Sequence, residues 1–176
     1  ESLVPIVGMD YFYITKEGVR RRTELAKELA AALEKASAPA AEDLRRGEEL
    51  ADEAISKARS SGEVIKCLLV CCLQSKNVFA HVVLQKGDDE DHYCAKLAVA
   101  DIEWLGHTKI IIKTDNERAI VALKQRVAKT LKEWKAMGNV QTESPAAYES
   151  QSNGGVEVGI KLVRGMFRTL KLCLEA

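Results

Sequence analysis

Apolar positions along the chain fall into two textures, short continuous runs and longer stripes at helical spacing, and these divide it into elements. Residues 3–14 (LVPIVGMDYFYI) are apolar on both alternations and predict a largely buried strand, with Pro5 confining its start to an edge or end position. Runs at 63–73 and 78–84, separated by the polar break Gln74-Ser75-Lys76-Asn77, predict a hairpin. From His92 to Leu105 the positions Ala95, Leu97, Ala98, Ile102 and Leu105 recur at helical intervals, and Gly106 closes that helix. A short β-branched run, Ile110-Ile111-Ile112, leads straight to Thr114-Asp115. Helical spacing returns from Glu117 to about Met137, carried by Ile120, Leu123, Val127, Leu131 and Trp134. Residues 140–143 predict a brief edge strand, and a last helix follows the glycine-bearing stretch 150–156.

Residues 16–62 differ from everything around them. They are rich in Ala, Glu, Lys and Arg, with Leu25, Leu29 and Leu33 forming one narrow stripe and Leu44, Ala51, Ala54, Ile55 and Ala58 a second, separated by Ser37-Ala38-Pro39. The pattern predicts a helical hairpin with weak apolar faces; the bland alternative is a partly disordered linker. Antiparallel neighbours early in the chain and crossover helices later imply an α/β protein, a five-stranded mixed sheet flanked by helices, with the hairpin inserted between the first two strands.

Composition narrows the picture. A chain of 176 residues with 47% apolar content fits one domain, 1–176, including the 16–62 insertion. No apolar run approaches the roughly 18 residues that a membrane-spanning helix needs, so no membrane partner is expected. The chain opens on Glu1 without an initiator Met or a signal-peptide pattern, which is expected of a piece of something longer. Five cysteines, three of them in one apolar run, show neither zinc-like pairing nor a disulfide framework; they read as buried thiols in a reducing nuclear or cytoplasmic compartment.

Net charge is zero, but its distribution is uneven: residues 1–108 carry 14 basic against 19 acidic side chains, and residues 109–176 carry 12 against 7. The basic half holds two of three carboxylates whose placement invites chemistry. Asp10 interrupts a buried strand, Asp115 ends another, and Glu157 opens the last helix. A carboxylate in an apolar run is costly unless paired or metal-bound, although Glu157 alone would be explained by the favourable field of a helix N-terminus. The row Lys124, Arg126, Lys129, Lys132 and Lys135 reads first as a solvated helix face, with DNA contact as the alternative.

Gly8-Met9-Asp10-Tyr11, Lys113-Thr114-Asp115-Asn116 and Ser150-Gln151-Ser152-Asn153-Gly154-Gly155-Val156-Glu157 together resemble the Asp, Asp, Glu catalytic core of retroviral and retrotransposon integrases. The resemblance covers everything except residues 16–62. It implies a ribonuclease H-like fold and a site in which Asp10, Asp115 and Glu157 are the catalytic metal ligands for two Mg²⁺ (or Mn²⁺) ions. It also implies DNA contacts from Lys161, Arg164 and Arg168, which share one face of the last helix with Glu157, and from Asn116, Tyr148, Gln151 and Asn153 around the site. The implied activity is a polynucleotidyl transferase: endonucleolytic processing of a DNA 3′ end, then strand transfer into target DNA during integration of a retrotransposon-like element. In such elements the integrase is cut from a polyprotein, and similar cores form homodimers. Asp115 and Glu157 lie farther apart in this chain than is usual in that family, the extra residues falling at 130–148. Two other readings stay open: a ribonuclease H-type nuclease, which needs a further acidic residue such as Asp101 or Glu103, and a catalytically idle integrase-derived dimerisation or interaction module.

Overall fold

The computed structural model describes residues 4–22, 24–28, 31, 64–133, 137–143 and 154–175. In chain order these form β1 (Ile6–Thr15), β2 (Gly18–Arg21), β3 (Val64–Cys72), β4 (Val78–Val82), α1 (Tyr93–Leu105), β5 (Lys109–Lys113), α2 (Arg118–Glu133), β6 (Asn139–Glu143) and α3 (Gly154–Glu175). The sheet has six strands in the order β4-β3-β1-β5-β6, with β2 also pairing β1. β3 runs antiparallel to β1 and β4, while β5 is parallel to β1 and to β6. The result is a mixed α/β arrangement compatible with a ribonuclease H-like fold.

The expectation of five strands is corrected by β2. Thr15 pairs with Gly18 across the two-residue turn Lys16-Glu17, and Gly18, at φ 122, adopts a backbone conformation that side-chain-bearing residues avoid. The chain therefore doubles back as a strand before any helix begins, and the insertion follows β2 instead of β1. Residues 24–28 are helical and Leu25 is buried against Tyr13 and Val64, as the first stripe predicts. The remainder of the expected helical hairpin lies outside the described residues, as do Trp134 and Lys135.

Both faces of the central strands are covered, which is why β1 and β3 read as continuous apolar runs. On one face Val7, Met9, Tyr11, Leu68, Val70, Ile110 and Ile112 pack with Ala98 and Ile102 of α1 and with Leu123, Val127 and Leu131 of α2. On the other, Phe12, Cys67, Leu69 and Cys71 receive Val156 and Ile160 of α3. The approach of α3 is unusually close. A Cβ at Gly8 would stand 2.3 Å from Val156 Cγ2, and one at Gly159 would stand 3.0 Å from a Leu69 methyl. The glycines of the Gly154-Gly155-Val156-Glu157-Val158-Gly159 stretch thus include packing residues of the helix, where the sequence suggested mainly a loop.

All five cysteines are free thiols; Cys67, Cys71, Cys72 and Cys94 are buried, whereas Cys173 is exposed. No described helix is long and apolar enough to cross a membrane. In the acidic stretch 88–91 the first two residues are structural: Asp89 Oδ1 accepts the Tyr93 N–H at 2.7 Å where α1 begins, and Asp88 binds His92 and Arg126, each at 2.6 Å.

Candidate metal centre

A strand has two hydrogen-bonding edges, and β1 uses one of them for β3 along almost its whole length. The other edge is divided. Ile6, Val7 and Gly8 pair with β5, ending at Gly8 opposite Lys113. Phe12 to Thr15 pair with β2, starting at Phe12 opposite Arg21. Asp10 lies in the notch between the two partners.

The parallel register explains which carboxylate joins it. Two residues beyond the Gly8–Lys113 pair, along strands running the same way, are Asp10 and Asp115, and a two-residue step returns each side chain to the same face. Burial, followed by the charge of Asp115, raises Asp10 from 3.8 to about 7, opposed by the Tyr11 N–H that donates to Asp10 Oδ1 at 2.7 Å. Asp115 is also raised, chiefly by burial, with the Glu117 N–H donating to its Oδ1 at 3.2 Å and the Glu117 charge adding repulsion. Two carboxylates that the fold desolvates and brings into repulsion are only partly offset by the charges of Lys86 and Arg22, and a hard divalent cation is the chemistry that matches them.

Glu157 is placed by α3. Val156 seats on Gly8, two residues before Asp10 on the same face, so the next residue of the helix starts beside the notch. Its carboxylate, however, is taken: Glu157 Oε1 accepts from Arg21 Nη1 at 2.6 Å. Among the described residues, no three His, Cys, Asp or Glu side chains come close enough to hold one metal ion. Of the three carboxylates expected as ligands, Asp10 and Asp115 thus stand at the notch and interact by charge, while Glu157 is bound by an arginine. The donor set fits a divalent cation through that pair.

The basic face of α3 is only partly open. Arg164 Nη2 donates to Glu24 Oε2 at 2.6 Å, and Lys171 Nζ donates to the Lys16 carbonyl at 2.9 Å. Lys161 and Arg168 are exposed, and Asn116 is exposed beside Asp115. Tyr148, Gln151 and Asn153 lie outside the described residues. On α2, the row expected as a solvated or DNA-facing surface is partly committed: Lys124 is buried and donates to the Glu143 carbonyl at 3.0 Å, and Arg126 binds Asp88.

Several residues at the notch were not singled out from sequence. Glu117 binds Lys86 Nζ at 2.5 Å, and that ammonium lies 5.4 Å from the centre of the Tyr11 ring and 5.7 Å from that of Tyr13. Burial alone would lower Lys86, but Tyr13 and Glu117 together hold it above its ordinary value. Arg22 also faces the site, its charge favouring ionised Asp115. The available signals were the Asp115-Asn116-Glu117 spacing and the turn before Arg20-Arg21-Arg22. Asp101, the candidate fourth acid of a ribonuclease H-type site, is bound to His81 Nε2 at 2.7 Å, and Glu103 is exposed.

No family model matches the chain, and no curated protein matches it significantly. Among solved structures, it is similar to a chain of the simian T-cell lymphotropic virus intasome in complex with PP2A regulatory subunit B56 gamma, a cryo-EM structure. That match has 13% identity and a TM-score of 0.41 and covers 90% of this chain. It spans 41% of that neighbour's length.

Proposed function

We propose that this chain is a ribonuclease H-like catalytic core of integrase type, a divalent-metal-dependent polynucleotidyl transferase for a retrotransposon-like element. The observation that carries the reading is the pairing of Asp10 with Asp115 in the β1 notch, beneath the N-terminal turn of α3. The sequence motifs around Asp10, Asp115 and Glu157 supply the integrase character.

In this reading Asp10 and Asp115 hold Mg²⁺ or Mn²⁺, and Glu157 joins them from α3 as the third ligand of a two-ion site. When bound, the cations supply charge stabilisation at the reacting phosphate. Lys161 and Arg168, exposed on the helix that carries Glu157, grip backbone phosphates of a DNA end as positive charges that position the strand without reading its sequence. Asn116 borders the same cleft. The DNA partners are the element's ends and the target duplex.

A homodimer accompanies this function. It is supported by exposed apolar surface away from the notch: Trp104 of α1, which meets Phe79 of the edge strand β4 edge-on at 5.5 Å, with Tyr93, Val82 and Leu84 also exposed.

The second reading, a catalytically idle interaction module, is favoured by one observation, the commitment of Glu157 to Arg21. The ribonuclease H-type reading is weakened by the commitment of Asp101 to His81. The experiment is strand transfer of a short labelled duplex into plasmid DNA with Mn²⁺. The proposal expects joining by the wild type, and its loss in Asp115→Asn and Glu157→Gln. Joining that survives either substitution, or preferential cleavage of an RNA–DNA hybrid, would overturn it.

A further inference from the structure

β2 and the helical residues after it lie along the charged face of α3 and engage it by opposite charges. Arg21 binds Glu157 at 2.6 Å, Glu24 binds Arg164 at 2.6 Å, and Glu24 Oε2 also accepts the Arg21 N–H at 2.9 Å. Burial works against the Glu24 carboxylate, but the Arg21 N–H and the Arg164 guanidinium hold it below its ordinary value. The register explains why Arg21 stands there: it is the last residue of β2 and pairs with Phe12, two residues past Asp10 on β1. Among the described residues, the buried Nε of Arg164 has no acceptor. The guanidiniums of Arg21 and Arg164 are thus occupied by the protein's own carboxylates.

A guanidinium fork suits a phosphate as well as a carboxylate. A phosphodiester offers two non-bridging oxygens to such a fork, and when it arrives in the notch it competes with Glu157 for Arg21. The Arg21–Glu157 contact is half-exposed, with 36% and 40% of the two side chains accessible, so solvent screening keeps it weak enough to exchange.

We infer that Arg21 is a substrate-responsive positioning residue: it withholds Glu157 from the Asp10–Asp115 pair until a nucleic-acid phosphate takes its place, so that metal and DNA bind cooperatively. This rests on the metal-site reading above and adds the order in which the site assembles. Because binding coupling is reciprocal, the factor by which DNA tightens metal binding equals the factor by which metal tightens DNA binding. An exposed pair of this kind is worth a factor of about two to five, which sets the size of the coupling.

The test is Mn²⁺ titration of the full chain, with and without a short blunt DNA duplex under non-cleaving conditions, in wild type, Arg21→Gln, Arg21→Lys and Asp115→Asn, with thermal melts to verify folding. The wild type is expected to bind Mn²⁺ about two- to fivefold more tightly when the duplex is present. Arg21→Gln should show the tighter affinity without duplex and gain nothing from it, while Arg21→Lys, which keeps the charge but loses the fork, retains part of the coupling. Unchanged Mn²⁺ affinity and unchanged coupling in Arg21→Gln, with binding still lost in Asp115→Asn, would overturn the inference and leave the metal site intact. Absence of Mn²⁺ binding in every variant, duplex included, would overturn both.

Discussion

Substituting Asp10 by Asn tests the electrostatics of the notch without changing its shape. The side chain keeps an oxygen for the Tyr11 N–H and loses only its charge. Asp10 is raised from 3.8 to about 7, mainly by burial and then by Asp115. A carboxylate raised by folding contributes stability that is present below its unfolded pKa and is lost as pH climbs towards its folded value, here between about 4 and about 7. A shift of about three units at 1.36 kcal/mol each gives about 4 kcal/mol, reduced to about 2–4 kcal/mol because Asp10 keeps some contact with water. Asp10→Asn carries no such loss. In urea unfolding with chelator present, it should match the wild type at about pH 3, below the unfolded value of 3.8, and exceed it by about 2–4 kcal/mol at about pH 8. A residual fall with pH should remain in the variant, because burial raises Asp115 as well. A variant less stable than wild type at about pH 8 without metal would refute the reasoning, since the carboxylate would then be satisfied by the fold itself.

Other outcomes follow from packing. Gly8→Ala puts a methyl 2.3 Å from Val156 Cγ2, a stiff β-branched neighbour, and should cost about 1–3 kcal/mol in urea unfolding. Gly165→Ala, mid-helix in α3 with nothing within 4 Å, should instead gain about 0.5–1 kcal/mol. His81→Ala leaves the nearly buried Asp101 without its 2.7 Å partner and should cost about 1–3 kcal/mol by the same measurement. Burial pushes the Cys67 and Cys71 thiols up to about 11, so alkylation of the native protein followed by mass spectrometry should label exposed Cys173 first and these two last.

The parts of the fold legible in the sequence are those set by burial. Apolar runs on both alternations marked β1 and β3 as doubly covered strands, and the helical stripes located α1 and α2 with Gly106 as a cap, at φ 69. Asp10 and Asp115 stood out because each ends or interrupts such a run, and their pairing follows from the parallel register of two short strands. β2 was not legible: Gly18-Val19-Arg20-Arg21 has one buried apolar residue, Val19, and its charges resemble those of the helical region that follows. That omission also concealed the state of Glu157, because the residue that binds it comes from the missed strand. Whether a carboxylate meets another carboxylate or an arginine 136 positions away is a tertiary outcome that no local pattern carries.

If Asp10 and Asp115 form one divalent-cation site, calorimetric titration of Mn²⁺ into wild type, Asp10→Asn and Asp115→Asn at about pH 8 should resolve it. The wild type should bind Mn²⁺, with at least about tenfold weaker binding in each variant. Identical isotherms for all three proteins would contradict it.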